Sequence, residues 1–548
     1  MRFLALLTTS LVFTTGPLCA APPAVTYLFP AGIQRGQTAE ITIGGTAGTA
    51  PLNVWTDLPN LKIEVPAKGN KFKVTSPSNA TPGRCWIRVH NAEGASTLRP
   101  FVIGTVSELL EKEPNDKLSQ AQTISTPAVV INGAFAKAGD ADLFAVSLKA
   151  GQTLVAAIDG NTLLGSPLDG LLQIVSPQGF TLEQNDDAHG MDPMLIFRAP
   201  RDGRYFVRAF AFPAAPNSSI RLAGGAAYVY RLTLTTGPYI DHVIPGAVAK
   251  GVKTNVQLNG WNIPDGLRIR TVQPEGTSKF STLFGSEFAN AIVVPVVDTA
   301  NITEEQAASR NSFFEPNVTI TGRIEENDEI DAYSFTLKKG TTVEFRIASR
   351  SFGEELDPTI EIFDAKSKSL KKVDDSTRDV FDPVLSYKVP ADGTYRVDIS
   401  DLHQRGGLRY AYRLTTRIPQ PDFTLSVAAD AFTLSSEKPL EIPVTVSRTT
   451  GFAEEIEIRV DGLPAGVTAE VVKSAAKGAT AKAVKLVLKS DGGKVYSGSL
   501  KIVGVSTGEL KREQHATAAI ATPKARTGHL WLTATAGKPA KKKPANTP

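Results

Sequence analysis

Residues 144–158 read FAVSLKAGQTLVAAI, and this stretch sets the pattern that decides the fold. Residues 144–148 alternate between the two faces of a strand, residues 149–152 form a turn, and an apolar strand resumes at Thr153. A strand of the same kind, residues 205–210 (YFVRAF), follows a glycine turn. Short strands separated by turns, without a helical period, predict a β-sandwich.

A set of longer motifs occurs twice in the same order. The first copy contains residues 113–116 (EPND), 139–144 (GDADLF), 164–169 (LGSPLD), 202–205 (DGRY) and 230–232 (YRL). The second contains residues 315–317 (EPN), 331–333 (DAY), 356–358 (LDP), 392–395 (DGTY) and 412–414 (YRL). This set resembles the bacterial pre-peptidase C-terminal domain, a β-sandwich related to the collagen-binding modules of clostridial collagenases. The resemblance implies two accessory domains of a kind that usually accompanies secreted peptidases and other hydrolases.

A shorter repeat precedes each long one. The shared prolines and glycines of residues 23–45 and 238–260 are Pro23, Pro30, Gly36 and Gly45, matched by Pro238, Pro245, Gly251 and Gly260. This opening resembles the start of the IPT/TIG-type immunoglobulin-like domain. Residues 462–467 (GLPAGV), inside another β pattern, resemble a turn common in bacterial immunoglobulin-like repeats of the NEW3 type.

The chain is therefore predicted to be all-β, with tandem β-sandwich and immunoglobulin-like modules and a disordered basic tail. A length of 548 residues is too much for one core. The tail is rich in Lys, Pro and Ala, which cannot bury a core. The predicted segments are a signal peptide (1–20), a TIG-like domain (22–104), a first pre-peptidase-type sandwich (105–236), a second TIG-like domain (237–305), a second pre-peptidase-type sandwich (306–418), an immunoglobulin-like domain (421–522) and the tail (523–548).

The N-terminus has the order of a secretory signal peptide. Arg2 supplies a positive charge, residues 3–13 are mostly apolar, and small residues follow, so we expect cleavage after Ala20. No later stretch has the ~18–20 uninterrupted apolar residues that a membrane helix needs. We therefore expect a secreted, periplasmic or cell-envelope protein without a transmembrane segment.

The cysteine content and the net charge indicate whether a disulfide bond or a nucleic-acid partner can be expected. After cleavage Cys85 is the one cysteine left, so no intramolecular disulfide can form, and its alternating surroundings predict a buried thiol. A net charge of +4 on so long a chain provides no dominant field for nucleic acid. No nucleic-acid partner is expected.

The densest group of candidate ligands lies at the start of the first long repeat. Pro114 biases Glu113 towards an extended conformation, which would place Glu111, Glu113 and Asn115 on one face. Asp116 is adjacent, and Asp140 and Asp142 show the same spacing further on. Hard cations such as calcium take oxygen ligands of this kind. The resemblance implies the same, because in the related collagen-binding modules a Glu-x-Glu-x-Asn-Asp linker and a downstream acidic pair bind calcium. The alternative is a capped turn with solvated carboxylates.

The second copy departs from this pattern. Phe313 and Val318 stand where the first copy has Glu111 and Asp116. The remaining candidate ligands are Glu315, Asn317, Glu329 and Asp331. Fewer carboxylates attract a cation less strongly, so calcium is doubtful there.

Catalytic motifs are missing from the sequence. It has neither a His-Glu-x-x-His zinc motif nor a Gly-x-Ser-x-Gly nucleophile turn. His189, close to Asp186, Asp187 and Asp192, is the one acid–base cluster, and a solvated loop is predicted there. We therefore expect a non-catalytic module that binds or scaffolds extracellular or envelope protein or polysaccharide. Two alternatives remain open: a hydrolase with its site in residues 262–310, and a purely structural spacer.

Overall fold

The computed structural model describes residues 21–215, 221–309, 313–377 and 380–535. The predicted signal peptide, residues 1–20, lies outside the described residues, as does the predicted tail from residue 536 onwards. Strands make up nearly all the regular structure in the described ranges, which confirms the all-β prediction. They form five modules, numbered here in chain order.

Module one, residues 24–104, is a sandwich of two sheets with the orders β1-β3-β6-β5 and β2-β9-β7-β4. On β3 the alternation predicts the inner face: Ile41 and Ile43 are fully buried while Glu40 is exposed. Cys85 is buried as predicted. The strands are β1 Ala24–Phe29, β2 Gly32–Gln34, β3 Thr38–Thr46, β4 Asn53–Thr56, β5 Lys62–Glu64, β6 Lys71–Thr75, β7 Gly83–Asn91, β8 Gly94–Ala95 and β9 Arg99–Gly104.

Module two, residues 108–235, has two five-stranded sheets, β10-β12-β19-β14-β17 and β11-β13-β18-β15-β16. Phe144, Val146 and Leu148 of the opening stretch lie in the core between them. A 3-10 helix, Leu118–Gln120, and a short helix α1, Asn161–Leu164, lie between strands. The strands are β10 Glu108–Leu110, β11 Gln122–Ile124, β12 Ala128–Ala134, β13 Asp142–Leu148, β14 Thr153–Asp159, β15 Leu168–Val175, β16 Thr181–Asn185, β17 Met194–Arg198, β18 Gly203–Pro213 and β19 Val229–Thr235.

Module three, residues 239–297, is the smallest, with the three-stranded sheets β20-β22-β23 and β21-β25-β24. A 3-10 helix, Asp265–Leu267, joins β22 to β23. The strands are β20 Tyr239–Ile244, β21 Val248–Ala249, β22 Thr254–Trp261, β23 Ile269–Val272, β24 Phe280–Leu283 and β25 Ile292–Val297.

Module four, residues 300–417, repeats the plan of module two with the sheets β26-β27-β34-β29-β32 and β28-β33-β30-β31. Its first strand begins at Ala300 and pairs with β27, five residues before the predicted boundary at 305/306 and inside the range 290–310 expected for the irregular end of the preceding domain. The elements are β26 Ala300–Thr303, α2 Glu304–Ser309, β27 Val318–Arg323, β28 Asp331–Leu337, β29 Thr342–Ala348, a 3-10 helix Arg350–Phe352, β30 Pro358–Phe363, β31 Ser369–Val373, β32 Val384–Lys388, β33 Gly393–Asp401 and β34 Ala411–Arg417.

Module five, residues 422–534, is one connected sheet of eleven strands. Its last strand pairs with β42 and β36 and is buried throughout, so the fold continues past the predicted end at residue 522. The strands are β35 Asp422–Val427, β36 Ala431–Leu434, β37 Leu440–Thr449, β38 Ile456–Asp461, β39 Val467–Ala469, β40 Val472–Ser474, β41 Ala483–Ser490, β42 Tyr496–Ser506, β43 Glu513–Ile520, β44 Ala525–Thr527 and β45 Leu530–Ala534.

The last module folds back onto the first. Arg88 of module one, which is fully buried, donates from Nη2 to Asp430 Oδ2 of module five at 2.8 Å. Around this ion pair the ring of Trp531 packs against Trp55 and His90. The first and the last module are therefore in direct contact. The order of the motifs along the sequence does not reveal this contact.

The helices of this fold are short. Helix α1 has four residues and α2 has six. Across the described ranges, no helix combines the length and the apolar character needed to cross a membrane.

Candidate metal centre

The acidic segment at the start of module two is held against the edge of the sandwich by backbone hydrogen bonds. Glu111 N donates to Asn132 O at 3.0 Å, just after β10 has paired with β12. Further along, the carbonyl of Asn115 accepts from Leu143 N at 3.1 Å. The second bond brings the segment to the start of β13, where Asp142 lies. Two elements that are distant in sequence thus place their carboxylates together.

Three carboxylates form the outer part of the site. One oxygen from each of Glu113, Asp116 and Asp140 lies within 4.8 Å of the other two. Lys137 Nζ is 3.5 Å from both Asp116 Oδ2 and Asp140 Oδ1. Attraction to Asp140 in the first place, and then to Asp116, raises the pKa of Lys137. The side chain of Lys137 is 65% exposed, so this ammonium group can move aside.

Several buried polar atoms at this site have no hydrogen-bond partner, although one of them, Asp140 Oδ1, lies 3.5 Å from the Lys137 ammonium group. Asp140, Asp142 and Asn115 are each fully buried. Oδ1 of all three residues, together with Nδ2 of Asn115, has no hydrogen-bond partner. Buried polar atoms are nearly always paired, because losing water without a replacement partner costs free energy. These oxygen atoms therefore have capacity for an additional ligand.

A second pair of carboxyl groups lies deeper and shares one tyrosine hydroxyl. Tyr230 Oη, on β19, is 2.6 Å from Asp142 Oδ2 and 3.0 Å from Glu111 Oε2. Burial, followed by the charge of Glu111, raises the pKa of Asp142 to about 9. Burial also raises the pKa of Glu111 to about 7. A nearby cation would favour the ionised form of both groups.

The structure divides five of the six predicted ligands into these two groups, and the sixth, Asn115, is buried with an unpaired side-chain amide. Glu113 is exposed, Glu111 is partly buried and Asn115 is fully buried, so these three side chains do not share one face. The extended geometry expected from Pro114 is therefore wrong, because the chain bends at Glu113. Sequence reasoning also missed Tyr230, although both long repeats have a tyrosine at this position.

Module four contains a related but different arrangement. Gly322 pairs with Tyr412 as Gly133 pairs with Tyr230, which aligns the two modules residue by residue. At the position of Glu111, module four has Glu304, whose Oε2 accepts from Arg323 N at 2.9 Å. The prediction that Phe313 replaces Glu111 is therefore wrong.

The other candidate ligands of module four are spread apart. Tyr412 Oη is 2.5 Å from Asp331 Oδ2, and Glu329 Oε2 accepts from the backbone of Glu326 at 2.9 Å. In contrast, Glu315 and Asn317 come directly before β27 and do not correspond to Glu113 and Asn115, which precede β11. Among the described residues of module four, no group of three closely spaced carboxylates is found.

The solvated loop predicted around His189 is found at Asp186 and Asp187 and not at Asp192. Asp192 is buried, and its carboxylate accepts from the backbone of Asn161 at 2.7 Å and of Thr162 at 2.9 Å. His189 packs against Gly353 of module four. Asp186 and Asp187 are exposed. The four side chains thus have separate surroundings.

Comparison with known proteins identifies the two repeated modules. Residues 140–211 and 329–401 match the family model of the bacterial pre-peptidase C-terminal domain, which confirms that part of the prediction. A 96-residue segment is 36% identical to a probable subtilase-type serine protease of Deinococcus radiodurans. That alignment covers 17% of this chain and 13% of the protease, so the chain spans a small part of that relative. The IPT/TIG-like and NEW3-type assignments stay predictions.

Solved structures align with parts of the chain at low similarity. The pre-peptidase C-terminal domain of a collagenase from Bacillus anthracis aligns over 96% of its length and 22% of this chain, at 12% identity and a TM-score of 0.16. The periplasmic inhibitor of g-type lysozyme from Aeromonas hydrophila aligns over 98% of its length and 24% of this chain, at 14% identity and a TM-score of 0.16. Scores this low carry no argument about function.

Proposed function

We propose that this chain is a non-catalytic protein of the cell exterior or envelope, in which tandem sandwich modules bind or scaffold extracellular protein or polysaccharide. The modular construction of the chain supports this proposal most directly. The strands of the described ranges fall into five β modules, and the family that modules two and four match is not a catalytic one. The predicted signal peptide and the pre-peptidase matches both favour an extracellular setting.

Calcium is the cation that best fits the donors of module two. Glu113, Asp116 and Asp140 offer carboxylate oxygens, and Asn115 adds an amide oxygen without a partner. Calcium takes about six to eight oxygen ligands in flexible geometry, so water can complete the shell. The rival neutralising group is Lys137, which already contacts two of the carboxylates.

Calorimetry on the full chain tests the calcium site. We expect one calcium ion to bind, and the double substitution Glu113→Ala with Asp140→Ala to abolish the heat, because it removes two of the three clustered carboxylates. Ion at ~100 times its dissociation constant should add about 2.7 kcal/mol to the stability of module two. Asp202→Ala is the matched control, since Asp202 is an exposed carboxylate of the same module that pairs with Lys149.

The outcome also decides between calcium and Lys137. Absence of binding heat, together with a melting temperature that chelator does not change, would show that Lys137 alone neutralises the carboxylates. Binding that survives the double substitution would place the ion elsewhere.

An array of glycans and envelope proteins, probed with the full chain, tests the binding function. We expect retention on a small set of related ligands, and a spacer would retain nothing specific. Incubation with casein and mixed polysaccharides provides the second arm. Turnover of either substrate in the presence of chelator would contradict the non-catalytic proposal.

A further inference from the structure

A second group of metal-ligating side chains lies where modules two, three and four meet. Asp241 and His242 lie on β20 of module three, and Glu354 follows the 3-10 helix Arg350–Phe352 of module four. Their side chains are 2%, 4% and 2% exposed, respectively. One potential ligand atom from each lies within 4.8 Å of the other two. The group is far in sequence from the acidic site of module two and belongs to a different part of the fold.

The distances between the ligand atoms match those around a small divalent cation. His242 Nδ1 is 3.0 Å from Asp241 Oδ2 and 3.3 Å from Glu354 Oε1. A cation about 2.1 Å from each ligand atom holds neighbouring ligands about 3.0–3.4 Å apart, at octahedral or tetrahedral angles. Little movement would be needed to close these three atoms around one ion.

The site also has unpaired polar atoms. Glu354 Oε2 and His242 Nε2 are buried and have no hydrogen-bond partner. Because Glu354 Oε2 belongs to the same carboxylate as Oε1, it can approach an ion that Oε1 binds. A buried carboxylate with one unpaired oxygen is unfavourable unless a cation compensates it.

The surrounding charges leave the site negative. Arg409 Nε is 3.4 Å from Asp241 Oδ2, and its Nη1 is 2.7 Å from Glu355 Oε1. One guanidinium group therefore faces three carboxylates, those of Asp241, Glu354 and Glu355. Three ionised carboxylates against one guanidinium group would give an excess of two negative charges. A divalent cation would balance that excess.

We propose that Asp241, His242 and Glu354 form a binding site for a divalent transition metal of the zinc class, which joins module three to module four. One imidazole nitrogen and two carboxylate oxygens are ligands that zinc accepts, and a water molecule or Glu354 Oε2 completes four-coordination. This site differs from the calcium site in its donors, since calcium prefers oxygen and imidazole suits transition metals.

Module two contributes to the junction without supplying one of the three ligands. Arg409 Nη2 donates to Ala188 O of module two at 3.3 Å and to Gly353 O at 2.6 Å. His189 packs against Gly353, where a Cβ atom would lie 2.2 Å from His189 Nδ1. Gly353 also has a φ of +93°, which favours glycine. The metal would therefore fix an interface that Arg409 and Gly353 already shape.

The rival occupant of the site is a proton. A protonated His242 would donate from Nδ1 towards the carboxylates of Asp241 and Glu354, and Arg409 Nε lies 3.4 Å from the same oxygen of Asp241. A proton would leave the same distances between the three side chains, but the stability of the contact would then depend on pH and not on zinc. A proton-based contact weakens as pH rises and does not respond to zinc.

Zinc titration of the full chain separates the two occupants. The protein is freed of metal with chelator, exchanged into buffer with saturating calcium, and titrated with ZnCl₂ at one fixed pH near neutrality. The acidic site of module two has no imidazole, so zinc binding that depends on His242 is distinguishable from binding at that site, whether or not calcium fills it. We expect one zinc ion per chain and a higher melting temperature for modules three and four.

Substitutions identify the ligands. His242→Gln and Glu354→Gln should each weaken zinc binding by more than about tenfold, the smallest loss typical even of outer-sphere partners. His403→Gln is the matched control, because His403 is an exposed histidine of module four that lies 3.4 Å from Asp357. X-ray absorption at the zinc edge should show one imidazole and oxygen donors in the wild type, a readout that does not depend on how well a variant folds.

Three results would overturn the proposal. The first is zinc binding that is unchanged in His242→Gln, and the second is an absorption spectrum without imidazole. The third is absence of zinc binding together with a melting temperature that falls as pH rises through the histidine range. That last result would assign the junction to a protonated His242.

Discussion

Asp192 of module two is a buried carboxylate that the fold satisfies with backbone donors. Its oxygens accept from Asn161 N and Thr162 N at the start of α1. Burial still raises its pKa to about 7, with a further contribution from Asp159. In module four, Asp382 accepts from Ser349 N and Ser351 N in the same way. These aspartates hold the turn that follows β14 in module two and β29 in module four.

The raised pKa of Asp192 predicts a pH dependence. An unfolded Asp titrates near 3.9, so between about pH 4 and pH 7 the folded form holds a proton that the unfolded form has released. The stabilisation is fully present below about pH 4 and is lost as pH rises through 7, at up to about 1.4 kcal/mol per pH unit.

Calorimetric melting of the full chain at several pH values checks this expectation. Asp192→Asn cannot titrate, so its module-two transition should depend less on pH than that of the wild type over this window. Asp202→Asn, at an exposed carboxylate, should follow the wild type. Equal pH dependence in the wild type and Asp192→Asn would contradict the assignment.

At the level of elements, the strands at module boundaries are the ones that the sequence pattern does not place. Residues 300–303 (β26) fall where the sequence predicts the irregular end of the second TIG-like domain, and residues 530–534 (β45) fall within the predicted tail. Both are short strands that pair in parallel with a distant or following strand, and their place depends on that partner. In contrast, strands inside modules follow their alternation, as Phe144 and Val146 do. A short apolar run at a boundary fits either neighbouring module equally well.

The position of β45 predicts where the chain tolerates truncation. Leu530, Trp531 and Leu532 are 1%, 4% and 1% exposed, and emptying such positions costs about 2–5 kcal/mol each. Ending the chain after Thr522 should therefore unfold module five and expose it to protease. Ending it after Thr535 should leave the melting profile unchanged. Equal protease resistance of the two truncated chains would show that β45 is dispensable.

At the scale of the whole molecule, the contact between modules one and five closes the chain. Asp430 Oδ2 also accepts from Leu98 N at 3.2 Å, and Arg88 Nη1 donates to Ser96 O at 2.8 Å. Trp86, Leu98 and Ile520 form an apolar cluster beside the ion pair. The ion pair is thus part of a packed interface.

Arg88→Ala should open this interface. Removing one partner of a buried ion pair leaves the other charge unpaired and costs about 3–5 kcal/mol. We expect a larger radius of gyration by X-ray scattering and a change in tryptophan fluorescence, because Trp55, Trp86 and Trp531 lie at this contact. Lys71→Ala, which breaks an exposed ion pair with Glu40, is the control and should change neither. An unchanged radius in Arg88→Ala would mean that the apolar cluster holds the ends together alone.

Local sequence determined the β class, the repeated modules and the identity of the acidic segment in module two. The reason is that the alternation of a strand and the choice of turn residues depend on a few neighbouring positions, as at Ile41 and Ile43. A duplicated motif can be recognised because its parts keep their order along the chain. Tertiary structure alone decided which side chains meet. Arg88 and Asp430 are 342 positions apart, and His242 reaches Glu354 from another module. Such pairs depend on how completed modules pack, which no local pattern encodes.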